Sequence, residues 1–226
     1  MTNVKTLTLS LSLLATALLI TACGDGAKKT ESATSEAQTV AVATDAEAVT
    51  LAIDPAQSLV NWEGSKVAIN TVHVGSLNFA SGEVSGKAST QEILAGSFTI
   101  DMNTLVNFDQ KGDMKTMLET HLKSADFFEV ETYPTALFQI TAAEKLPEEG
   151  RFKINGNLTI KNKTNNIEFP VTITDDGAKY TAVTDTITID RTKWDLLYGS
   201  QSVLKSLTDN VISDQISFVA TVVAPK

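Results

Sequence analysis

Cysteine and histidine are scarce in this sequence, and their scarcity removes several classes of protein from consideration. The 226 residues include one cysteine and two histidines. One cysteine excludes an intramolecular disulfide framework and any zinc or iron–sulfur site that needs several thiolates. Basic residues are also outnumbered, with 18 Lys and Arg against 27 Asp and Glu, for a formal charge of −9. Because nucleic-acid binding needs a basic surface to neutralise phosphates, we predict no nucleic-acid partner.

Recognisable catalytic motifs are missing as well. The sequence has no serine elbow, no glycine-rich phosphate loop and no zinc-protease helix. Carboxylate pairs occur at 129/131 and 148/149, but nothing in the sequence indicates the sheltered position that a general acid needs. The two histidines, His73 and His121, are far apart and lack clustered ligand partners. We therefore predict no enzymatic activity, no metal and no cofactor.

The first 22 residues are typical of a secretory signal peptide. They carry one base, Lys5, and no acid, followed by an apolar run rich in leucine from residue 6 to residue 22. The run is too short and too rich in Ser and Thr for a good membrane span. We expect residues 1–22 to be a cleaved leader and the protein to be exported.

The leader ends in Ile20-Thr21-Ala22-Cys23-Gly24, which resembles the lipobox of bacterial lipoproteins. The resemblance implies that Cys23 carries a diacylglyceryl thioether and an N-acyl group, and two or more acyl chains give stable membrane attachment. The alternative is an ordinary signal peptide with an unmodified cysteine. Gly24, in place of Asp, favours the outer membrane in enterobacterial lipoproteins, so we expect a lipoprotein that is anchored in the outer membrane and faces the periplasm.

Residues 24–50 contain no aromatic residue, Leu or Ile and are dense in Ala, Thr, Ser and Glu. Such a segment buries too little apolar surface to offset its chain entropy. We predict that residues 23–50 are a lipidated cysteine followed by a disordered tether.

From Leu51 onward the hydrophobic pattern has a period of two, which predicts strands with one buried face. Residues 152–160 alternate in this way, and so do residues 167–173, where Pro170 falls on the polar face and suggests an edge or a bulge. Turn signals at 148–150 and 175–177 separate such segments. Eight or nine candidate strands with short connections predict an antiparallel all-β fold, and closure into a barrel removes its edges.

One stretch departs from the alternation and predicts a single inserted helix at about 112–124. Asp113 is placed to cap its start, and a second, weak helical turn is predicted near Ser202–Leu207. The apolar residues at helical spacing are Met114, Met117, Leu118, His121 and Leu122.

The segment from His121 to Phe138, HLKSADFFEVETYPTALF, closely resembles the signature of the YceI family of exported lipocalin-like proteins. The same family is matched, in order, by five further segments: residues 60–66, 73–75, 96–102, 156–160 and 189–194. The resemblance therefore covers about residues 51–224, and we place the domain at residues 51–226. It implies an extended antiparallel lipocalin-like β-barrel of about eight strands. It also implies a hydrophobic tunnel that holds a polyisoprenoid or another long-chain amphiphile.

The tunnel lining is predicted from the alternation of each strand, in which every second side chain faces the inside of the barrel; we call this the inward parity. An apolar tail needs a dry apolar wall and almost no directed polar contacts, so inward aromatic and aliphatic residues suffice. For each of them, packing in the barrel core is the alternative. The candidates are Trp62, Phe98, Phe138, Phe152, Leu158, Phe169 and Phe218.

Arg191 is a polar exception on the inward parity, because it continues the row of Ile187 and Ile189. An inward arginine must be paired or must reach the mouth of the barrel. One hypothesis is that Arg191 meets the polar head group of a ligand. The alternative is a structural ion pair with Asp195 or Asp214.

The predicted function is binding of a polyisoprenoid or other long-chain lipid, for carriage, storage or protection. Its predicted partners are that lipid and, through Cys23, a membrane. The first alternative is a structural or interaction module whose barrel is filled by its own side chains. The second is hydrolysis or isomerisation of a bound lipid. The sequence names neither the ligand nor the oligomeric state.

Overall fold

The computed structural model describes residues 31–67, 71–87, 89–203 and 211–226. The predicted leader and Cys23 lie outside the described residues, and so do residues 204–207 of the second predicted helical turn.

Strands make up most of the described chain, with one α-helix and one short 3₁₀ helix. The helix α1 spans Gly112–Lys123 and the 3₁₀ helix spans Arg191–Trp194. The strands are β1 Thr34–Glu36, β2 Val49–Ala52, β3 Leu59–Lys66, β4 Thr71–Lys87, β5 Glu92–Asn107, β6 Thr135–Lys145, β7 Arg151–Ile160, β8 Lys163–Asp175, β9 Lys179–Thr184, β10 Ile187–Asp190 and β11 Gln215–Pro225.

Eight of these strands form a closed antiparallel barrel, which confirms the predicted all-β fold. Strands β3 to β8 pair in sequence order, and β11 pairs with β3. Strand β9 pairs with both β8 and β11 and so closes the ring. The alternation explains this sheet: in β7, Phe152, Ile154 and Leu158 are buried, whereas Lys153 and Asn155 on the other face are half-buried.

Pro170 lies where β8 changes its partner. On one side of β8, residues 165–167 pair with β1 and residues 171–175 pair with β9. Pro170 falls between these two ladders, where a missing backbone N–H costs no ladder bond.

The helix occurs where it was predicted, at Gly112–Lys123, but its start differs from the prediction. The N-cap residue is Lys111, with no side-chain capping hydrogen bond, because Gly112 adopts a positive φ of 53° and begins the helix one residue earlier. Asp113 therefore lies in the first turn, where its negative charge interacts favourably with the positive end of the helix dipole. The helix has no buried residue.

The prediction of a disordered tether is wrong for residues 31–50, because this segment packs on the barrel. Strand β1 pairs with β8, and β2 pairs with β4. Between them, the Gln38 amide donates to Oδ1 of Asn157 at 2.9 Å, and Nδ2 of Asn157 donates to the Gln38 carbonyl at 2.6 Å. The Ala41 amide donates to the Ile140 carbonyl, and Asp45 forms an ion pair with Lys87. We call residues 31–48 the strap.

Hydrogen bonds explain why a segment of such low hydrophobicity is ordered. Asn157 and Asn166 are buried although they lie on the outer wall, and a buried amide without partners is costly. The strap supplies partners for Asn157 through the backbone of Gln38, and Asn166 donates to Asn157 and Thr141. These hydrogen bonds use main-chain groups of the strap, so the amino-acid composition of the strap does not predict them.

Candidate functional site

The barrel encloses a cavity of about 1080 Å³ that is open at the end covered by α1. Its wall is mostly aliphatic and aromatic, and a volume of this order suits a ligand with a long apolar chain. The apolar lining includes Val60, Leu77, Ile100, Met102, Leu105, Ala136, Ile160, Ile167, Ile187, Leu196, Ile216 and Ala220.

Five of the seven predicted tunnel residues line this cavity: Trp62, Phe138, Leu158, Phe169 and Phe218. They come from β3, β6, β7, β8 and β11, so the wall is built from most of the barrel's circumference. The rings of Phe138 and Phe169 lie 5.5 Å apart and form one continuous aromatic surface. All five therefore face inward, as the alternation of the strands predicts, and their contact with a ligand stays a prediction.

The other two candidates, Phe98 and Phe152, do not line the cavity, which corrects that part of the prediction. Both are buried: Phe152 lies next to the turn that joins β6 to β7, and Phe98 lies on β5 directly opposite Phe138, on the side of the cavity away from the mouth. Phe98 packs edge-on against Phe79, with ring centroids 6.3 Å apart. Among the described residues, side chains therefore fill this end of the barrel, and the cavity has its mouth at the α1 end.

Gly75 is required by the way the Trp62 side chain lies in the wall. The two residues are directly opposite each other on β4 and β3. A Cβ at position 75 would come within 2.6 Å of the Trp62 indole and would also overlap the Val106 carbonyl. Any larger residue here would displace the indole from the cavity wall.

The indole N–H of Trp62 is buried and has no acceptor among the described residues. The ring of Trp62 lines the cavity, but its N–H is itself covered by neighbouring protein atoms.

Arg191 is buried, with 1% of its surface exposed, and its partners favour the structural alternative. Its three donor groups all bind backbone carbonyls. Nε donates to the carbonyl of Ser213 at 2.8 Å, Nη2 donates to the carbonyl of Ile212 at 3.2 Å, and Nη1 donates to the carbonyl of Leu196. The carboxylate of Asp214 lies 3.6 Å from Nη2. Burial lowers the pKa of Arg191, and the negative charge of Asp214 opposes that shift.

Arg191 therefore ties the 3₁₀ helix and the loop that follows it to residues 212–214, just before β11. Asp214, and not Asp195, is its acidic partner, because Asp195 pairs with Lys163 at 3.0 Å. Arg191 does line the cavity, but its donors are directed at backbone carbonyls.

The mouth carries polar groups that the sequence did not identify as a cluster. His73 Nδ1 lies 2.8 Å from Asp109, and His121 Nε2 lies 3.0 Å from Asp126. Burial raises the pKa of Asp109, but hydrogen bonds from the Val74 amide and three side chains outweigh it and hold the pKa well below its usual range. Asp109 is therefore a stable anion beside the mouth.

In the described part of the chain, no group of three or more His, Cys, Asp or Glu side chains is placed to hold a metal. Among the same residues, neither helix has the length and hydrophobicity that a membrane crossing requires.

A closed antiparallel barrel of eight strands, with a helix over one end and an apolar cavity inside, defines the lipocalin-like class of ligand-binding barrels. The sequence profile of the YceI-like domain matches residues 51–224. The chain belongs to this family. The strap before residue 51 lies outside the matched region. No curated protein matches the chain.

Solved structures share the fold at low sequence identity. BcnA from Burkholderia cenocepacia is 22% identical, with a TM-score of 0.60 over 76% of this chain and 99% of its own. A polyisoprenoid-binding domain from Saccharophagus degradans, implicated in plant cell wall breakdown, is 15% identical, with a TM-score of 0.55 over 77% and 97%. The Campylobacter jejuni YceI protein is 21% identical, with a TM-score of 0.51 over 66% and 84%.

Proposed function

We propose that this protein binds the chain of a polyisoprenoid or a comparable long-chain lipid in its barrel, for carriage, storage or protection. The observation that carries the proposal is the apolar cavity of about 1080 Å³ with its mouth at the α1 end. The polyisoprenoid-binding domain among the structural neighbours supports the same class of ligand. This cavity supports the proposal over the alternative of a barrel filled by its own side chains, which describes the end around Phe98 and Phe152.

The geometry orients the ligand. Because the far end of the cavity is filled by Phe79, Phe98 and their neighbours, the tail enters first and the head group stays at the mouth. There it meets the region of His73, His121 and Tyr198, whose side chains line the opening. Arg191 contributes by holding the wall of the mouth together.

Burial of the tail supplies the affinity. A tail that buries about 600 Å² of apolar surface gains roughly 15 kcal/mol gross at 25 cal/mol per Å². Association costs of several kcal/mol or more reduce this gain. An apolar wall is thus sufficient for tight binding by passive sequestration, without a catalytic group.

Uptake of an isoprenoid quinone tests the proposal. We expect ubiquinone-10 added to delipidated protein to quench tryptophan emission with saturation at one quinone per chain, because Trp62 lines the cavity. Trp62→Phe removes the cavity tryptophan and should remove most of the quenching while leaving binding in place. Emission that does not change on addition of this quinone or of a C55 polyprenol, together with no bound lipid by mass, would overturn the proposed function.

We further infer that the protein is exported and anchored through lipidated Cys23, facing the periplasm at the outer membrane. The sequence Ile20-Thr21-Ala22-Cys23 supports this part of the proposal. Radiolabelled palmitate should label the wild-type chain in the membrane fraction, and Cys23→Ala should abolish the label. Equal labelling of the two chains would contradict lipidation at this residue.

A further inference from the structure

We infer that the membrane-anchored protein lies with the mouth of its cavity against the bilayer, through an apolar rim around that mouth. The inference rests on the proposed anchor at Cys23. It assigns a membrane-contacting surface to the α1 end of the barrel. Two independent observations carry it: the distribution of exposed hydrophobic side chains, and the point where the chain leaves the barrel toward Cys23.

Most of the large hydrophobic side chains that are exposed in the described residues lie at the α1 end. Met114 and Met117 of α1 are 60% and 64% exposed, and both line the cavity opening. We define the rim as Val72, Phe108, Met114, Met117, Leu197 and Tyr198, which come from the start of β4, the approach to α1, α1 itself and the loop after the 3₁₀ helix.

Met114, Met117 and Tyr198 line the cavity opening, and Val72, Phe108 and Leu197 are exposed at the same end of the barrel. Exposed apolar side chains grouped beside the entrance of an apolar cavity mark an interaction surface. The helix beneath them carries Asp113 and Glu119 beside Lys115 and Lys123, so neither sign of charge dominates. Such a surface enters an uncharged bilayer by apolar contact and does not depend on anionic lipid.

The strap determines where the chain departs toward its anchor. The Ser32 amide donates to the Thr188 carbonyl at 2.7 Å, and Glu31 pairs with Lys193 at 3.1 Å. Thr188 lies opposite Ser217 of β11. At about 3.3 Å per residue, Ser217 is about 7 Å from the mouth-side end of β11 and about 26 Å from its other end at Pro225.

The residues between Cys23 and Glu31 limit the distance to the membrane. Eight peptide steps span no more than about 29 Å when fully extended. If the mouth faces the bilayer, the segment between Cys23 and Glu31 is much longer than the distance of about 7 Å that it must span. If the opposite end faces the bilayer, the same segment must span about 26 Å and be almost fully extended. A disordered tether through residue 50 would impose no such limit, so the docked strap restricts the orientation.

Tryptophan quenching by brominated lipid tests this orientation. The full chain is expressed with its leader, recovered with its anchor and reconstituted in vesicles of brominated phosphatidylcholine. Met117→Trp and Met114→Trp place a probe on the rim, and Glu149→Trp places one on the exposed turn between β6 and β7, at the other end of the barrel. The parent chain gives the background from Trp62 and Trp194.

We expect the rim positions to be quenched about twofold or more above the position 149 variant, as for side chains inserted at a membrane interface. Equal quenching, no quenching at the rim, or stronger quenching at position 149 would overturn the inference. A chain that stays soluble would overturn it together with the anchor. Quinone uptake in the same samples separates the outcomes, because uptake without rim quenching overturns the orientation and leaves the proposed function standing.

Discussion

Ala136→Trp is expected to weaken uptake of a long-chain lipid about 100-fold, because the new indole would occupy the cavity. Ala136 is buried on β6 and its side chain lines the cavity. An indole buries roughly 200 Å², and displacing that much tail contact removes about 5 kcal/mol of gross gain. If the tail recovers half of this loss by rearranging, the remainder still corresponds to about two orders of magnitude in affinity. Quinone titration followed by tryptophan emission measures the change.

Ala142→Trp is the matched control, since the same substitution on the same strand leaves the cavity unchanged. Ala142 is exposed and does not line the cavity. Its variant should bind quinone as the wild type does. Full uptake by Ala136→Trp, with the fold retained by circular dichroism, would show that the ligand does not occupy this cavity.

Trp194→Ala is expected to lower the free energy of unfolding by about 3–5 kcal/mol, the range for truncating a large, fully buried aromatic side chain. Trp194 is 0% exposed, and its Nε1 donates to the Leu158 carbonyl at 2.9 Å. The residue therefore joins the 3₁₀ helix to β7 at the cavity wall. Denaturant titration followed by far-ultraviolet circular dichroism measures the loss without depending on tryptophan emission.

Trp194→Phe separates packing from the hydrogen bond. It keeps most of the apolar contact and leaves the Leu158 carbonyl without this donor, so a smaller loss of about 1–2 kcal/mol is expected. Wild-type stability in Trp194→Ala would contradict a packing role for this side chain.

Parity predicted the barrel and most of its lining because a strand alternates regardless of what surrounds it. Trp62, Phe138 and Phe169 were placed correctly on that basis. Parity does not give depth along the barrel axis. Phe98 and Phe152 share the inward face and yet belong to the filled end.

Other features depend on contacts that no local pattern encodes. The strap is bound through the side chain of Asn157, more than a hundred residues away in the sequence. Arg191 was correctly expected to face inward, but its three carbonyl partners come from loops whose positions follow from the closed barrel. Met114 and Met117 form an apolar stripe that normally predicts burial, whereas here the helix covers an opening and leaves them exposed.

The central claim is that the cavity holds a lipid, and native mass spectrometry of the protein purified from its source tests it most directly. The account predicts a reproducible additional mass of one long-chain lipid per chain, released on denaturation and restored when the delipidated protein is incubated with that lipid. A bare polypeptide mass, together with no uptake of quinone or polyprenol by the refolded barrel, would contradict it.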